Sequence, residues 1–577
     1  MLTNTRFYAV VTLLVVLAAL GMAQAPTGQV DGRVFDETGA LIPGATVTLT
    51  NSGTGASRRL ASGGDGFFSF PSLQAGKYEI RCEAKGFRTQ IEVIPVETGA
   101  IATADMHLQL GQAQELVTVE ALAAQLSYDR HTIDGVITKQ QIDDLPLNGR
   151  SFLQLAQLQP GVSVSPASIG EYNRQFDVNI LGAGSESVRI TVDGATVNDA
   201  VTGGTQQNFS QEVVQEFQVS SANFDLSTGI TAGGAVNVIT RSGTNEFHGS
   251  GFFYFRDHNM SAYPYLQRDP LQPDPFFARR QPGFYVGGPI KKDKLFFFSS
   301  YEHINQRGVY STEPTDPLFS AFLSNATVPY NSNQFTQRFD YRINEKHSAF
   351  LRYSHDGNNA YSPTDNSQPS NWGVNTNYAD SGVFSLISAF TPAVVNEFRY
   401  SMTFWDNKKN TPTASICPAP CFGLGGPQFS IHSVGGLQIG NNASNTPQSR
   451  ILRRHIFADN ITLQKGAHSL RLGGEWEYQQ GTGTYAYAEP GGAVLYSPED
   501  VQAYNSYITS VGLGAYAVKI PTSFTTYQDL LQLPVAGFET GVGDINQPPS
   551  YNRGNADHNH RFHFYAQDTW KMRPNFT

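Results

Sequence analysis

The segment FTQRFDYRI-NEKH-SAFLRYS, residues 335–354, alternates apolar and polar side chains on both sides of a short polar turn. In its first run, Phe335 and Phe339 point to one face, and Thr336 and Arg338 point to the other. A period of two predicts β-strands, and NEKH predicts a tight turn between two antiparallel strands. Because one face is apolar and the other is polar or charged, we expect the first to meet lipid and the second to meet water.

The connections between such runs alternate in length. Short turns are predicted near residues 291–294, 344–347, 391–394 and 465–468. Long segments rich in Gly, Pro, Asn and Ser lie between them, roughly at 302–333, 355–379, 406–450 and 481–556. This regular asymmetry is typical of outer-membrane barrels and is not expected of a soluble sandwich. We therefore predict an antiparallel transmembrane β-barrel over residues 245–577, with about ten strands, the last at 561–572.

Residues 127–244 carry a mixed pattern that predicts an α+β domain. A short strand and helix are predicted over 137–146, and a second helix over 151–158. A strand then ends in Asp193-Gly194, a pair that favours a tight hairpin turn. Gly233 and Gly234 precede an apolar run that contains Asn237. The two glycines are either simple turn residues or positions where the backbone approaches a neighbour closely.

Residues 27–110 predict a small β-sandwich. Short alternating runs are separated by turn residues and show no helical period. These runs are residues 29–35, 45–50, 66–70 and 77–84.

A linker is predicted over residues 111–126. It contains one extended stretch, made of Glu115, Leu116, Val117, Thr118, Val119 and Glu120. Such a stretch is either an ordinary linker strand or a strand that adds to the sheet edge of a partner protein.

Two known families share these motifs. Residues 27–110 resemble the carboxypeptidase regulatory-like domain, an accessory module with a carbohydrate-binding-like fold. The matching motifs are Gly32-Arg33-Val34, Pro43-Gly44-Ala45, Asp65-Gly66-Phe67, Leu73, Gly76-Lys77-Tyr78 and Gly86-Phe87. The ordered motifs of residues 127–250 are similar to the plug domain of TonB-dependent outer-membrane receptors as it runs into the first barrel strand. The Oar-like receptors of that family also carry the N-terminal sandwich.

The resemblance implies a fold class and a set of partners. The fold is mainly β: an N-terminal β-sandwich, an α+β plug and part of a barrel that has 22 strands in the family. This chain would then be the N-terminal part of a larger receptor. Residues 115–120 match the TonB box, on which the periplasmic protein TonB pulls. The other implied partners are outer-membrane lipid and an extracellular ligand of the siderophore, cobalamin or saccharide class.

Export is predicted by the N-terminus and is consistent with the cysteines. Arg6, an apolar run over 7–20 and small residues up to 25 predict a cleaved signal over residues 1–25. A membrane anchor is the alternative, but the run is shorter than the roughly 20 residues needed to span a bilayer. Cys417 and Cys421 either form a small disulfide in an oxidising compartment or remain free thiols, and Cys82 is predicted to fill a core.

Several classes of function are disfavoured. The chain has a formal net charge of −10, and its basic residues are scattered, so we expect no nucleic-acid partner. It contains no H-E-x-x-H, G-x-S-x-G or phosphate-loop motif, so we expect no enzyme, cofactor or metal site. Two hypotheses remain: a receptor that imports its ligand by plug displacement, or a surface adhesion or assembly protein that uses the barrel as an anchor.

Overall fold

The structure is a computed structural model of the 577-residue chain. It describes residues 27–111, 116–120, 133–166, 173–199, 202–222, 226–261, 276–314, 316–363, 367–417, 421–431, 437–442, 446–485, 491–541, 557–570 and 572. The predicted signal at residues 1–25 lies outside these ranges. Within them, no helix combines the length and the apolar character needed to cross a bilayer.

The first unit is a sandwich of two sheets. Its strands are β1 (Gly28–Asp36), β2 (Thr46–Asn51), β3 (Ser57–Ala61), β4 (Phe67–Leu73), β5 (Gly76–Glu83), β6 (Thr89–Val96), β7 (Ile101–Thr103), β8 (Met106–Leu108) and β9 (Leu116–Glu120). One sheet has the order β4-β1-β7, with β8 also on β1, and the other has the order β3-β2-β5-β6-β9. Alternation decides the packing: in β5, Tyr78, Ile80 and Cys82 are buried in the core, while Arg81 between them is exposed. Cys82 is a buried free thiol, as predicted.

The second unit, which we call the plug, is α+β. Its elements are β10 (Ile133–Ile137), α1 (Lys139–Asp144), a 3-10 helix (Phe152–Leu158), β11 (Val162–Pro166), β12 (Phe176–Ile180), β13 (Val188–Val192), β14 (Ala195–Thr196), β15 (Val214–Ala222) and β16 (Gly234–Thr240). The main sheet has the order β10-β15-β16-β13-β14, and β11 pairs with β12. The predicted second helix at 151–158 is therefore present as a 3-10 helix.

The central strands of the plug are buried on both faces. In β13, Val188, Ile190 and Val192 enter the apolar core of the plug. Arg189 and Thr191 point away from that core but are also buried. A second surface must therefore cover this face of the plug.

That surface is a ten-stranded antiparallel sheet. Its strands are β17 (His248–Asp257), β18 (Phe277–Lys291), β19 (Leu295–Thr312), β20 (Ser324–Arg342), β21 (His347–Ser362), β22 (Gly373–Thr391), β23 (Val394–Asn410), β26 (Gln448–Lys465), β27 (His468–Tyr485) and β30 (Asp557–Trp570). Each strand pairs with the next in this order, and β17 and β30 are the two edges. The four predicted short turns are present at one end, which we call the short-turn end; the opposite end is the long-loop end.

The predicted alternation of faces is confirmed. Phe335 and Phe339 are 36% and 38% exposed on the outer face, whereas Thr336 and Arg338 are 3% and 4% exposed on the inner face. The prediction of a mainly β chain with sandwich, plug and about ten barrel strands is confirmed as well.

Two of the predicted long loops are wrong. Strands β19 and β20 occupy much of 302–333, and β21 and β22 occupy much of 355–379. Asn and Ser in these segments predicted loops because such residues are uncommon in soluble strands. Here they face the plug instead: Asn358 and Asn377 are buried and accept hydrogen bonds from Asn173 and Gln175. The last strand also begins at Asp557 and ends at Trp570, rather than spanning 561–572.

The long-loop end carries a small folded insert. Its elements are β24 (Gln428–Ile431), β25 (Gln438–Ile439), β28 (Gly492–Leu495), α2 (Pro498–Ser510) and β29 (Val535–Glu539). They form a sheet of order β25-β24-β28-β29, packed on an apolar core that includes Phe319, Phe322 and Phe524. The structure joins Cys417 and Cys421 by a disulfide in the segment that leads into this insert.

Gly234 gives a test of how tightly the plug sheet is built. Its φ is +121°, and a Cβ there would lie 2.6 Å from the backbone oxygen of Ser220. We expect Gly234→Ala to destabilise the plug sheet by about 1–3 kcal/mol, because it adds a clash to the backbone strain. Faster amide hydrogen exchange in β15 and β16 would show this loss.

Gly182→Ala is the matched control. Gly182 also has a positive φ, +81°, but a Cβ there meets nothing within 4 Å. Equal exchange rates in the two variants would contradict the role given to the clash.

Candidate functional site: the contact between plug and barrel sheet

Asp193 lies at the centre of the contact between the plug and the inner face of the barrel sheet. It follows β13 in a tight turn, with φ +47° at Asp193 and +80° at Gly194, and β13 pairs with β14 across this turn. The Asp193 side chain is only 3% exposed. A carboxylate buried to this degree requires charged or hydrogen-bonding partners.

The partners of Asp193 come from the plug and from two barrel strands. Thr240 donates its backbone N–H to Oδ1 at 3.0 Å and its hydroxyl to Oδ2 at 2.7 Å. Nε of Arg352 lies 2.9 Å from Oδ2, and Nη1 of Arg338 lies 3.5 Å from Oδ1. The backbone oxygen of Thr240 also accepts a bond from Arg338 at 3.1 Å. The carboxylate thus ties the end of β16 to strands β20 and β21.

Gly194 makes room for a third arginine. A Cβ at Gly194 would lie 2.3 Å from Cζ of Arg399, so the guanidinium group of Arg399 occupies the space of a side chain. Arg399 comes from β23 and is buried. We call Asp193, Thr240, Arg338, Arg352 and Arg399 the Asp193 cluster.

A second ion pair, formed by Arg189 near the start of β13, connects plug and sheet. Nη1 and Nη2 of Arg189 donate to Oε1 and Oε2 of Glu475 at 2.8 and 2.7 Å, and both side chains are buried. Burial lowers the pKa of Arg189, but the adjacent carboxylate outweighs it, so the pKa of Arg189 is raised and the pair stays charged. Bidentate arginine–carboxylate geometry fixes orientation as well as position.

Further polar contacts follow the plug towards the long-loop end. Asp199 pairs with Arg450 at 2.8 Å, and Asp356 of β21 accepts bonds from the backbone and side chain of Asn208. Arg454 donates to the backbone oxygens of Thr196 and Asn198. The contact is therefore polar along its length rather than apolar.

The sandwich docks on the plug through Glu216. The backbone N–H and the hydroxyl of Thr98 donate to Oε1 of Glu216 at 2.6 and 2.7 Å. Burial raises the pKa of Glu216 above its usual 4.5, although these two bonds act in the opposite direction. Beside this contact, a cavity of about 560 Å³ lies between sandwich, plug and sheet, and Asp193, Arg338 and Arg399 are among the residues that line it.

The glycines and the asparagine singled out in the plug sequence also lie at close contacts. Gly233 donates its N–H to the oxygen of Ser187 at 2.7 Å, and a Cβ there would lie 2.6 Å from Cβ of Ala183. Asn237 is buried and accepts a bond from the hydroxyl of Thr191 at 2.8 Å. Gly234 begins β16, the strand that carries Asn237 and ends at Thr240. These residues shape the plug sheet behind the Asp193 cluster.

Leu116, Val117, Thr118, Val119 and Glu120 form β9, the outermost strand of one sandwich sheet. Its backbone pairs in parallel with β6, with Leu116 opposite Thr89 and Glu120 opposite Val93. Glu115 lies outside the described residues. The strand predicted to add to a partner's sheet therefore adds to a sheet of its own chain.

The barrel residues of the Asp193 cluster were not singled out from the sequence. Arg338 and Arg352 were recognised only as polar residues on the inner face of their strands. The signal that could have found them is an arginine at an inward position of a strand, where an unpaired charge would be unfavourable. Which carboxylate meets them depends on the register between plug and sheet.

Three family models match the chain. The carboxypeptidase regulatory-like domain matches residues 29–109, and the TonB-dependent receptor plug domain matches 132–236. The outer membrane beta barrel domain matches 239–318 and 308–577, which is more than half of the chain. The chain belongs to the TonB-dependent outer-membrane receptors. Its location is therefore the outer membrane, and in such barrels the short turns face the periplasm.

Individual relatives cover only parts of this receptor. The TonB-dependent transporter Oar of Myxococcus xanthus is 24% identical over 345 residues, which are 52% of this chain and 31% of that protein. The probable TonB-dependent siderophore receptor PirA of Acinetobacter baumannii is 28% identical over 175 residues, 28% of this chain and 21% of that protein. The chain thus covers less than a third of either curated relative, and both are named as a transporter or a receptor.

Solved structures of outer-membrane receptors and transporters also align with the receptor. The outer membrane transporter YddB of Escherichia coli aligns with a TM-score of 0.48 and 10% identity, over 63% of this chain and 50% of that chain. The structure of PirA from Acinetobacter baumannii aligns with a TM-score of 0.41 and 18% identity, over 60% and 48%.

The Asp193 cluster gives a first test of the site. We expect Asp193→Asn to weaken the seating of the plug by about 3–5 kcal/mol, because it leaves the buried guanidinium group of Arg352 without the carboxylate that it pairs with. The loss is measured as faster amide exchange in β13 and β16 of the purified receptor.

Asp143→Asn is the control for that variant. Asp143 is another plug carboxylate, paired with Lys139 one helical turn away, but its side chain is 46% exposed. An exposed pair of this kind contributes at most about 0.5 kcal/mol. If both variants exchanged like the wild type, Asp193 would not hold the plug.

Glu216 predicts a pH dependence of sandwich docking. Because its pKa is raised in the docked state, the docked form binds the proton more tightly than the free form. Docking is therefore strongest below the usual pKa of 4.5 and weakens as the pH rises through the raised value. We expect the protection of the amides at residues 97–100, which is the slowing of their exchange relative to the intrinsic rate at the same pH, to be greater at low pH. Glu216→Gln should remove this dependence, and a dependence that persists in the variant would assign it to another group.

Proposed function

We propose that this receptor imports an extracellular ligand by TonB-driven displacement of its plug. The observation that carries the proposal is the seating of the plug against the inner wall through buried ion pairs, at Asp193 and at Arg189–Glu475. Such pairs fix the position of a domain firmly, yet they add less net stability than an apolar contact of the same size. A domain that has to leave its seat and return to it benefits from both properties.

The connection between β9 and the plug supports a route for the force. Residues 121–132 connect β9 to β10 and lie outside the described ranges. Among the described strands, β10 is at the edge of the plug sheet and pairs with β15 alone. A pull on residues 116–120 would first separate β9 from β6 and then act on β10. Parallel pairing is slightly less stable per residue than antiparallel pairing, which favours release at β9.

Ligand capture is assigned to the long-loop end. The insert there exposes several aromatic side chains: Tyr504 is 50%, Tyr507 66%, Tyr516 74% and Phe538 75% exposed. The ligand belongs to the siderophore, cobalamin or saccharide class. The names of Oar and PirA support transport in general, and the sandwich domain favours a saccharide by analogy only.

A cysteine pair tests the role of β9. Ile91 and Thr118 are opposite each other in the pairing of β6 with β9. We expect Ile91→Cys/Thr118→Cys, cross-linked with a cleavable thiol reagent, to abolish TonB-dependent removal of solutes from the medium, because β9 can no longer separate. Mass spectrometry of the spent medium, from cells with and without TonB, measures this removal for all solutes at once, so no single ligand has to be chosen. A reductant should restore it.

The control pair is Glu79→Cys/Val93→Cys, which links β5 to β6 within the same sheet, where no separation is required. Normal uptake by the cross-linked β6–β9 receptor would contradict the proposal for β9. Solute removal that is equal without TonB would contradict energised import altogether.

The second candidate function is a surface adhesion or assembly protein anchored by the barrel. The exposed aromatic residues of the insert favour it, because exposed apolar surface often marks an interaction site. In that case, partner capture by cells would not depend on TonB and would be lost with the insert.

A further inference from the structure

Three arginine side chains from separate elements meet at the long-loop end of the plug. Arg174 belongs to the plug, Arg256 to β17 and Arg279 to β18. We call them the guanidinium cluster. A Cβ placed on Gly149 would lie 1.8 Å from Nη2 of Arg174 and 3.1 Å from Nη1 of Arg279, so these two groups flank the same point.

The described partners of the cluster are neutral. Nη1 of Arg256 and Nη1 of Arg279 donate to the same atom, Oδ1 of Asn148, at 2.8 and 3.0 Å. Nε of Arg279 donates to Gln306 at 2.7 Å, and Nε of Arg256 donates to Ser261 at 3.4 Å. Within the described residues, none of the three arginines forms an ion pair with a carboxylate, which sets them apart from Arg338 and Arg352 beside Asp193.

Burial makes this surplus of positive charge unfavourable. Arg279 is only 8% exposed, and like charges repel more strongly where water is excluded. A buried guanidinium group normally has a counter-charge, as Arg189 has in Glu475. An anion with several oxygen atoms would supply the counter-charge that the described residues do not.

The backbone at Arg174 is also held in an uncommon conformation. Its φ is +60°, in the left-handed region that is unfavourable for a residue with a side chain. The guanidinium group lies over the ring of Tyr330, with Cζ 5.4 Å from the ring centre, and donates no hydrogen bond to the described residues. Within the part of the chain that the structure describes, its donors are therefore available to a ligand, and strain at such a position is typical of binding sites.

We propose that the guanidinium cluster binds an anionic group, a carboxylate or a phosphate, of the ligand that the receptor imports. Guanidinium groups match both anions with paired, charge-assisted hydrogen bonds. Arg256 is exposed and Arg174 is half-buried, so a solute can reach the cluster. The inference rests on the proposed import function and narrows it to ligands that carry a negative charge.

Calorimetric titration of the purified receptor with simple probe molecules tests the site. Citrate and pyrophosphate serve as the carboxylate and phosphate probes, and glycerol as the neutral probe. We expect the wild type to bind at least one anion and not glycerol. Arg174→Gln and Arg279→Gln should each weaken anion binding at least about tenfold, because each removes a charge-assisted donor pair.

Arg280→Gln is the matched control. Arg280 is the next residue of β18, is exposed, and points to the opposite face of the sheet. It loses the same charge and should bind the anion like the wild type. If Arg280→Gln weakened anion binding equally, the effect would come from the net charge of the receptor and the proposal would be wrong. Failure of the wild type to bind either anion would also overturn the proposal.

A further variant distinguishes a loss of anion binding from a folding defect. Gly149→Ala keeps all three arginines but places a methyl group where Nη2 of Arg174 now lies. Anion binding should fall in this variant too, while amide exchange in β13 and β16 stays unchanged; unchanged binding would contradict the assigned geometry. Because titration needs no TonB, a receptor that binds citrate through these arginines but imports nothing would overturn the import function alone.

Discussion

The seating of the plug depends on one buried carboxylate. Asp193 can meet Arg338 and Arg352 only because a tight turn ends β13 at that point, and Arg399 can lie beside them only because residue 194 has no side chain. If the turn shifted by one residue, the buried guanidinium group of Arg352 would lose the carboxylate that it pairs with. The turn therefore fixes the register between two domains whose contact also includes the Arg189–Glu475 and Asp199–Arg450 ion pairs and a series of hydrogen bonds.

A polar inner wall follows from this arrangement and shapes the composition of the strands. The wall must provide hydrogen-bonding groups where the plug has them, so Asn, Ser and Gln occupy inward positions that a soluble sheet would give to Val or Ile. Ser332 and Asn377 are both 0% exposed, although neither residue is apolar. The outer face stays apolar because lipid offers no hydrogen bonds. The barrel strands thus carry polar residues on the inner face and apolar residues on the outer face, which is the reverse of a soluble β-protein.

This inversion explains which parts of the fold could be predicted from the sequence. Alternation was clear where the inward residues are charged and the outward residues aromatic, as at Phe335 and Arg338. The alternation was lost where both faces carry small polar residues, as in β20 near Asn331 and Asn333. There the sequence has no apolar residue at every second position to indicate a strand, and Asn and Ser have a low propensity for strands. The hairpin at Asp193-Gly194 could be predicted because its signal is local, whereas its ion pairs join residues far apart in the chain.

The position of β9 could not be predicted for a related reason. Its composition indicated a strand that adds to a sheet edge. The same backbone hydrogen bonds form whether that edge belongs to the same chain or to a partner, so the composition does not distinguish the two. The edge of β6 is close in sequence, so closing the loop costs little entropy. Any partner that takes β9 as a strand has either to compete with β6 or to pair with the other edge of β9.

The arrangement of the plug sheet sets the order in which a pull on β9 would act, if import proceeds as proposed. β10 is an edge strand, whereas β13 and β16 lie in the interior of the sheet and carry Arg189 and Thr240, the plug partner of Asp193. Force that enters through β10 therefore meets the backbone bonds to β15 before it meets any buried ion pair between plug and wall. β15 is in turn held to the sandwich by Glu216. An edge strand can leave while the central ion pairs persist, so partial opening of the plug requires less work than its complete removal.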